Sequence, residues 1–291
     1  MRHICNCFAF EATEGHYIGP RTQKQKLQSL LAADDDSSTH VKDSAAFINV
    51  ALRLETDRYV VKHIFNACRP TLLHREQLVR LVKTKDGGPS DATSVSRARA
   101  KFSRDLNAWR KVQLQRYPKL RDHIPLVDSA TPEEAQLQLP SAFTTELRQS
   151  LGLTQLAIIE YELREGQAHD ALQALRQVIQ EFNYNLLDKK NNVHGIAATL
   201  RSESFLRVLT SDKQIAATTY RRSRNAMLSL GLSETDSHWR ELRDDELWGK
   251  NVSAVRSMGD SKRRDPWFWH VVAPRGLSKE KEEEWSLDSE S

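Results

Sequence analysis

Two short runs near the N-terminus carry side chains that could bind metal. Cys5 and Cys7 are separated by one residue, and cysteine thiolates are zinc ligands. Zinc takes four ligands, so His3 and His16 would have to complete the set, and we do not predict a bound metal. The acidic run at 34–36 is followed by two serines, which is typical of a solvated linker and not of convergent oxygen ligands on rigid elements.

Positive charge is concentrated between residues 97 and 121, where only Asp105 opposes it. The candidate nucleic-acid-binding residues of this run are Arg97, Arg99, Lys101, Arg104, Arg110 and Lys111, and a smaller second group is Arg221, Arg222 and Arg224. Such cations could neutralise phosphates without reading bases. The alternative is a solvated face that pairs with acidic neighbours elsewhere in the fold. We expect Phe102, Leu106, Trp109 and Val112 on the buried side, with the charges spread over much of the remaining circumference.

The motifs of the common enzyme classes are missing from the sequence. Its 11 glycines are scattered and form no phosphate-binding loop, and its 10 histidines are dispersed, without a paired zinc motif. There is also no Gly-x-Ser-x-Gly nucleophile turn. The sequence therefore predicts a protein that is not an enzyme and has no cofactor.

Apolar spacing predicts an all-α chain, with long amphipathic helices in an irregular bundle and a partly irregular, tryptophan-rich C-terminal tail. Helices are expected from 43 to just before Pro70, around 72–85, and over 91–117, 154–187, 196–209 and 212–230. A short helix should end at Leu151. We divide the chain into a poorly structured segment (1–40), a helical domain (41–232) and a tail ending in an acidic stretch (233–291).

Several local signals refine these helices. Gly152 and Gly231, each followed by leucine, predict left-handed helix C-caps. Thr131-Pro132-Glu133-Glu134 has the pattern of a capping box. The helix over 154–187 carries an apolar stripe that includes Leu186, and Gly166 interrupts it at a cost of about 1 kcal/mol relative to alanine. We interpret Gly166 as a kink or a place where another helix comes close.

Five of the six tryptophans follow residue 232, and we expect this tail to pack on the protein's own core rather than to serve as an exposed docking peptide. The net charge is only +4, and the three cysteines, Cys5, Cys7 and Cys68, have no disulfide framework. No apolar run is long enough to span a bilayer. These features predict an intracellular protein with no membrane partner, which would act in the nucleus if it is functional.

Ordered segments of the chain resemble the C-terminal helical region of Kyakuja-Dileera-Zisupton transposases, a family of cut-and-paste DNA transposases. The resemblance covers roughly 95–285 and rests on AWRKVQ (108–113), LPSAFTTELRQSLGL (139–153), IEYELREGQAHDALQAL (159–175), LRSESFLRVL (200–209), TYRRSRNAMLSLGL (219–232), ELWGKNVS (246–253), GDSKRRDPWFW (259–269) and GLSKEKEEEW (276–285).

The family's catalytic core resembles ribonuclease H and holds divalent metal on acidic residues, but it lies upstream of this region. Nothing in 1–95 matches it, so the resemblance assigns no catalytic residue here. The first 26 residues resemble the start of proteins encoded by such elements, with Phe10 where a third cysteine is expected. The resemblance implies a non-catalytic remnant or accessory segment with DNA or an intact transposase as partner. The alternative is a helical protein–protein interaction module.

Overall fold

The computed structural model describes residues 21–32, 38–67, 91–125, 131–249 and 266–270. Over these ranges the chain is an all-α bundle without a strand, which confirms the predicted fold class. The helix expected around 72–85, the Cys5–Cys7 pair and the acidic run at 34–36 lie outside the described residues. No described helix is long and apolar enough to cross a membrane.

Six α-helices account for most of the described chain. They are α1 (Arg21–Ala32), α2 (Ser38–Ala67), α3 (Asp91–Arg116), α4 (Thr145–Ser150), α5 (Thr154–Asn192) and α6 (Ile196–Ser229). Short 3-10 turns lie between and after them, at Pro118–His123, Pro132–Glu134, Pro140–Ala142, Asp244–Glu246 and Trp267–His270. The predicted bounds of α2, α3 and α5 agree with these to within five residues.

Helices α5 and α6 form a long hairpin, which is the frame of the fold. The predicted break between 209 and 212 is wrong, because α6 is continuous through it. Thr210 donates its hydroxyl to the carbonyl of Leu206 at 2.8 Å, so this residue bonds within the helix instead of ending it. Leu186, expected in the buried stripe of α5, is 47% exposed near the end of the hairpin.

One apolar core lies between α2, α3 and the first half of α5. Trp109 on α3 stacks on Phe47 of α2 with ring centroids 5.0 Å apart, and its indole nitrogen donates to the Phe47 carbonyl. Phe102 and Leu106 are buried as predicted, but Val112 is exposed. The buried position is taken by the next residue, Gln113, whose side-chain amide donates to the carbonyls of residues 137 and 138.

A second core joins the second half of α5, the second half of α6 and the tail. Trp239, Leu242, Leu247 and Phe268 are all buried in it, and Phe268 is completely enclosed. The described part of the tryptophan-rich tail is therefore strapped onto the protein's own core, which confirms that prediction. Trp285 lies outside the described residues.

Both predicted C-caps are confirmed. Gly152 has φ 72°, and Leu153 donates its amide to the Arg148 carbonyl at 2.8 Å. Gly231 has φ 117°, and Leu232 bonds in the same way to Met227 at 2.9 Å. The capping box at 131–134 is wrong, because the Thr131 side chain caps nothing and the turn is 3-10.

Helix α1 overturns part of the prediction for 1–40, which was expected to be poorly structured. Its N-terminus lies against α5 at Gly166, whose missing Cβ would meet the Cα of Gln23 at 2.8 Å. One turn further along α5, the Asp170 carboxylate accepts the amides of Thr22 (2.8 Å) and Gln23 (2.9 Å). Gly166 therefore marks a close helix approach, one of its two predicted meanings.

Candidate nucleic-acid interface

The six candidate residues of α3 divide into two groups by their position around the helix. At 100° per residue, Arg97, Lys101, Arg104 and Lys111 fall within an arc of about 80°. All four are exposed, on the side of α3 opposite its buried positions Phe102, Leu106, Trp109 and Gln113. The sequence interpretation that these charges are spread around the helix was wrong for these four residues, which we call the basic stripe.

The other two candidates on α3 face inward and hold neighbouring backbone or carboxylates. Arg99 forms an ion pair with Glu133, which is 4% exposed. Arg110 donates to the carbonyls of Gln136 (2.6 Å) and Leu137 (3.0 Å). Both side chains therefore hold the 131–138 connection against α3. The capping-box pattern of the sequence did not predict this role for Glu133.

The second candidate group, on α6, is also committed to internal contacts. Arg221 donates to the Leu242 carbonyl and pairs with Asp244, both at 2.8 Å. Arg224 donates to the Trp239 carbonyl at 2.8 Å. These two arginines therefore hold the tail against α6.

Arg222 points the other way and joins α6 to α2. It donates to the Glu55 carbonyl at 2.8 Å, and burial lowers the pKa of its guanidinium. The three candidate arginines of α6 thus hold the tail or α2 and present no common basic surface.

Most of the charged groups of the basic stripe face solvent. No ion pair joins Arg97, Arg104 or Lys111 to another described residue. Lys101 lies near Asp57 of α2, and burial raises the pKa of that carboxyl while Lys101 and Arg53 counteract the shift. The stripe is therefore an electropositive face, with the carboxylates of Asp57 and Asp105 on its Lys101 side.

A buried ionic cluster that the sequence did not reveal lies beneath α2 and α5. Arg164 holds Glu55 through two hydrogen bonds (2.6 and 3.0 Å) and Glu160 through two more (3.2 Å each). Glu160 also accepts the amide and hydroxyl of Ser141. Burial acts to lower the pKa of Arg164, but the two carboxylates outweigh it and raise the pKa. Every partner is satisfied, so this cluster holds helices together and offers no reactive group.

An open groove of about 610 Å³ lies between α4, the start of α5 and the end of α6. Its most buried cation is Arg148, which donates to the carbonyls of Phe143 (3.1 Å) and Ser229 (3.0 Å) and to the Thr145 hydroxyl. The guanidinium of Arg148 therefore holds these segments together. Among the described residues, no three His, Cys, Asp or Glu side chains converge as a metal site would require.

No protein-family model, curated protein or solved structure matches this chain. The transposase resemblance therefore stays a prediction, and the geometry of the basic stripe is the structural basis for a functional proposal.

Proposed function

We propose that this chain is a non-catalytic helical segment that contacts the phosphate backbone of duplex DNA through the basic stripe of α3. The supporting observation is that four cations share one exposed face while the inward-facing arginines of α3 and α6 hold the fold together. With the resemblance described above, the chain is an accessory segment or remnant of a Kyakuja-Dileera-Zisupton transposase.

The dimensions of the stripe suit a phosphate backbone. From Arg97 to Lys111 the helix rises about 21 Å, at about 1.5 Å per residue. Duplex DNA rises about 3.4 Å per base pair, so the stripe spans about six base pairs. Contacts from these cations to phosphates carry no sequence information. Binding should therefore be electrostatic and nearly independent of sequence.

Binding to a duplex of mixed sequence is expected to weaken steeply with salt. Each neutralised phosphate contributes a slope of about −0.9 to log affinity against log salt, so four contacts give about −3.6. Raising salt from about 50 to 200 mM should then weaken binding about 150-fold. Replacing all four stripe residues with glutamine should abolish most of that slope. Fluorescence anisotropy with a labelled duplex measures both quantities.

A matched variant separates the stripe from net charge. Lys24, Lys190, Arg201 and Arg207 are exposed and lie on α1, α5 and α6, so replacing them with glutamine removes the same four charges away from the stripe. This variant should retain the slope of the unsubstituted protein. Equal weakening by both variants, affinity indifferent to salt, or no binding at low salt would contradict the proposal.

The alternative function, a helical protein–protein interaction module, is favoured by the far end of the α5–α6 hairpin. Tyr184, Leu186, Ile196 and Val208 are large apolar residues exposed there, and Ile196 is 76% exposed. A protein contact in this region would bury such side chains. The partner proposed is an intact transposase of the same family.

This alternative predicts that Ile196→Ser with Val208→Ser lowers affinity for that transposase at least tenfold in a pull-down titration, without changing the salt slope for DNA. Truncating an exposed pair that contacts a partner costs about 1 kcal/mol or more per anchor. Two exposed polar residues of the same helix, Arg207 and Thr210, provide an alanine control. Unchanged capture by the serine variant would rule out this end of the hairpin.

A further inference from the structure

A buried histidine lies where α5 meets the turn that follows α6. His169 is only 4% exposed, and its ring contacts those of Trp239 (centroids 4.6 Å apart) and His238 (5.2 Å). The Nε2 atom of His169 is enclosed and has no hydrogen-bond partner among the described residues. A proton placed on this nitrogen would therefore have no acceptor.

The charged groups around His169 further raise the free energy of protonating it. Lys26 of α1 and Arg176 of α5 are the cations that act on it, and His238 is a second titratable ring. The nearby carboxylates are engaged, because Glu165 pairs with Lys26 and Asp236 accepts the amides of residues 238 and 239. From α6, Arg224 and Tyr220 face the same turn and donate to carbonyls of 239 and 240.

The turn that carries His238 and Trp239 begins the tail segment, which reaches the second core through Leu242, Leu247 and Phe268. Trp239 is 2% exposed and lies between the His169 ring and Tyr220. Opening this contact would give His169 access to water and start to release the tail from the hairpin.

We propose that His169 and the His238–Trp239 turn form an acid-sensitive latch, which holds the segment after α6 on the α5–α6 hairpin at neutral pH and releases it on acidification. Release is driven by a proton that His169 can bind only after its contact with Trp239 and His238 has opened.

The sign and size follow from proton linkage. Burial lowers the pKa of His169 to about 3, with further lowering from His238, Lys26 and Arg176, whereas an opened histidine has a pKa of about 6.5. Between these values the open form binds more protons, so the closed form loses stability as the pH falls below about 6.5. From pH 7.5 to pH 5.0 the open-to-closed ratio should rise about 30-fold from His169 alone.

Hydrogen exchange read by mass spectrometry on the full chain tests the latch. Protection factors, which correct for the intrinsic pH dependence of exchange, should fall about 30-fold in peptides covering 232–249 between pH 7.5 and pH 5.0. Peptides from residues 45–54 of α2, in the other core, should change less than threefold. His169→Phe keeps a planar ring without a titrating nitrogen and should remove the response. His169→Gln provides a second non-titrating side chain.

The exposed His194, at the end of the hairpin, supplies the matched control, and His194→Gln should keep the 30-fold response. Three results would overturn the latch: equal protection of 232–249 at both pH values, an unchanged response in both His169 variants, or an equal fall in the α2 peptides, which would indicate global acid unfolding.

Discussion

Replacing Arg164 with methionine is expected to lower the free energy of unfolding by about 3 to 5 kcal/mol, because it leaves two carboxylates buried without their counter-charge. Glu160 is fully enclosed and Glu55 is 13% exposed at its side chain. Methionine fills much of the volume of the arginine stem, so the loss reports the charge and its hydrogen bonds more than a cavity. Urea denaturation at pH 7 measures it.

The arrangement explains why removing one member is so costly. The single guanidinium serves a carboxylate on α2 and a carboxylate on its own helix, and also donates to Gln167 at 3.1 Å. Burial raises the pKa of Glu160. Burial also acts to raise the pKa of Glu55, but Arg164, Arg222 and Arg58 together outweigh it and lower that pKa. Without Arg164, both carboxyls must either take up protons or draw water into the core.

Two controls identify the cause of the loss. Arg97→Met removes an exposed arginine from the basic stripe and should change stability by less than about 0.5 kcal/mol. Combining Arg164→Met with Glu55→Gln and Glu160→Gln removes the uncompensated charges and should recover a large part of the loss. A loss below about 1 kcal/mol for the single variant would show that the cluster is already hydrated.

The sequence was most informative where the signal is local. Three local signals depend on residues within one or two turns: the apolar spacing of α5, the proline after α3, and the glycine–leucine pairs after α4 and α6. The structure agrees with them, apart from Leu186 near the end of α5. The buried side of α3 was also predicted, apart from the exchange of Val112 for Gln113. Predicting that Gln113 is buried requires knowing that the carbonyls of residues 137 and 138 lie opposite it. No local sequence pattern contains that information.

The features that were missed depend on residues far apart in the chain. Helix α1 has 12 residues and few apolar positions, and an isolated helix of that length is marginal in water. It forms against Gly166 and Asp170, nearly 150 residues away. The Glu55–Arg164 pair spans 109 residues, so neither side chain announced its partner.

The basic residues illustrate the same division within one site. Helical periodicity alone places Arg97, Lys101, Arg104 and Lys111 on one face, so the sequence contains enough information to predict the stripe. Periodicity could not show that Arg99 and Arg110 hold the 131–138 connection, because their partners are a carboxylate and two carbonyls brought there by tertiary folding. The sequence alone therefore predicts the basic stripe but not the internal contacts of Arg99 and Arg110.

Adding one methyl group at Gly166 is expected to undock α1. The new Cβ would lie 2.8 Å from the Cα and 2.9 Å from the amide nitrogen of Gln23, and backbone cannot move aside as a flexible side chain can. Gly166→Ala should destabilise the protein by about 1 to 3 kcal/mol despite the better helix propensity of alanine. Because α1 also leaves Asp170, this free energy should appear as a fall of about 5- to 150-fold in the amide protection of α1.

The same methyl group at an exposed position of α5 has the opposite effect, which makes the comparison diagnostic. Ala174 is exposed on that helix, and Ala174→Gly should destabilise by about 1 kcal/mol while leaving α1 protected. Thus a methyl that stabilises α5 at 174 destabilises it at 166, and only the position of α1 distinguishes the two sites. If Gly166→Ala instead stabilises the protein, α1 does not cross α5 at this glycine and its N-terminus is not held by Asp170.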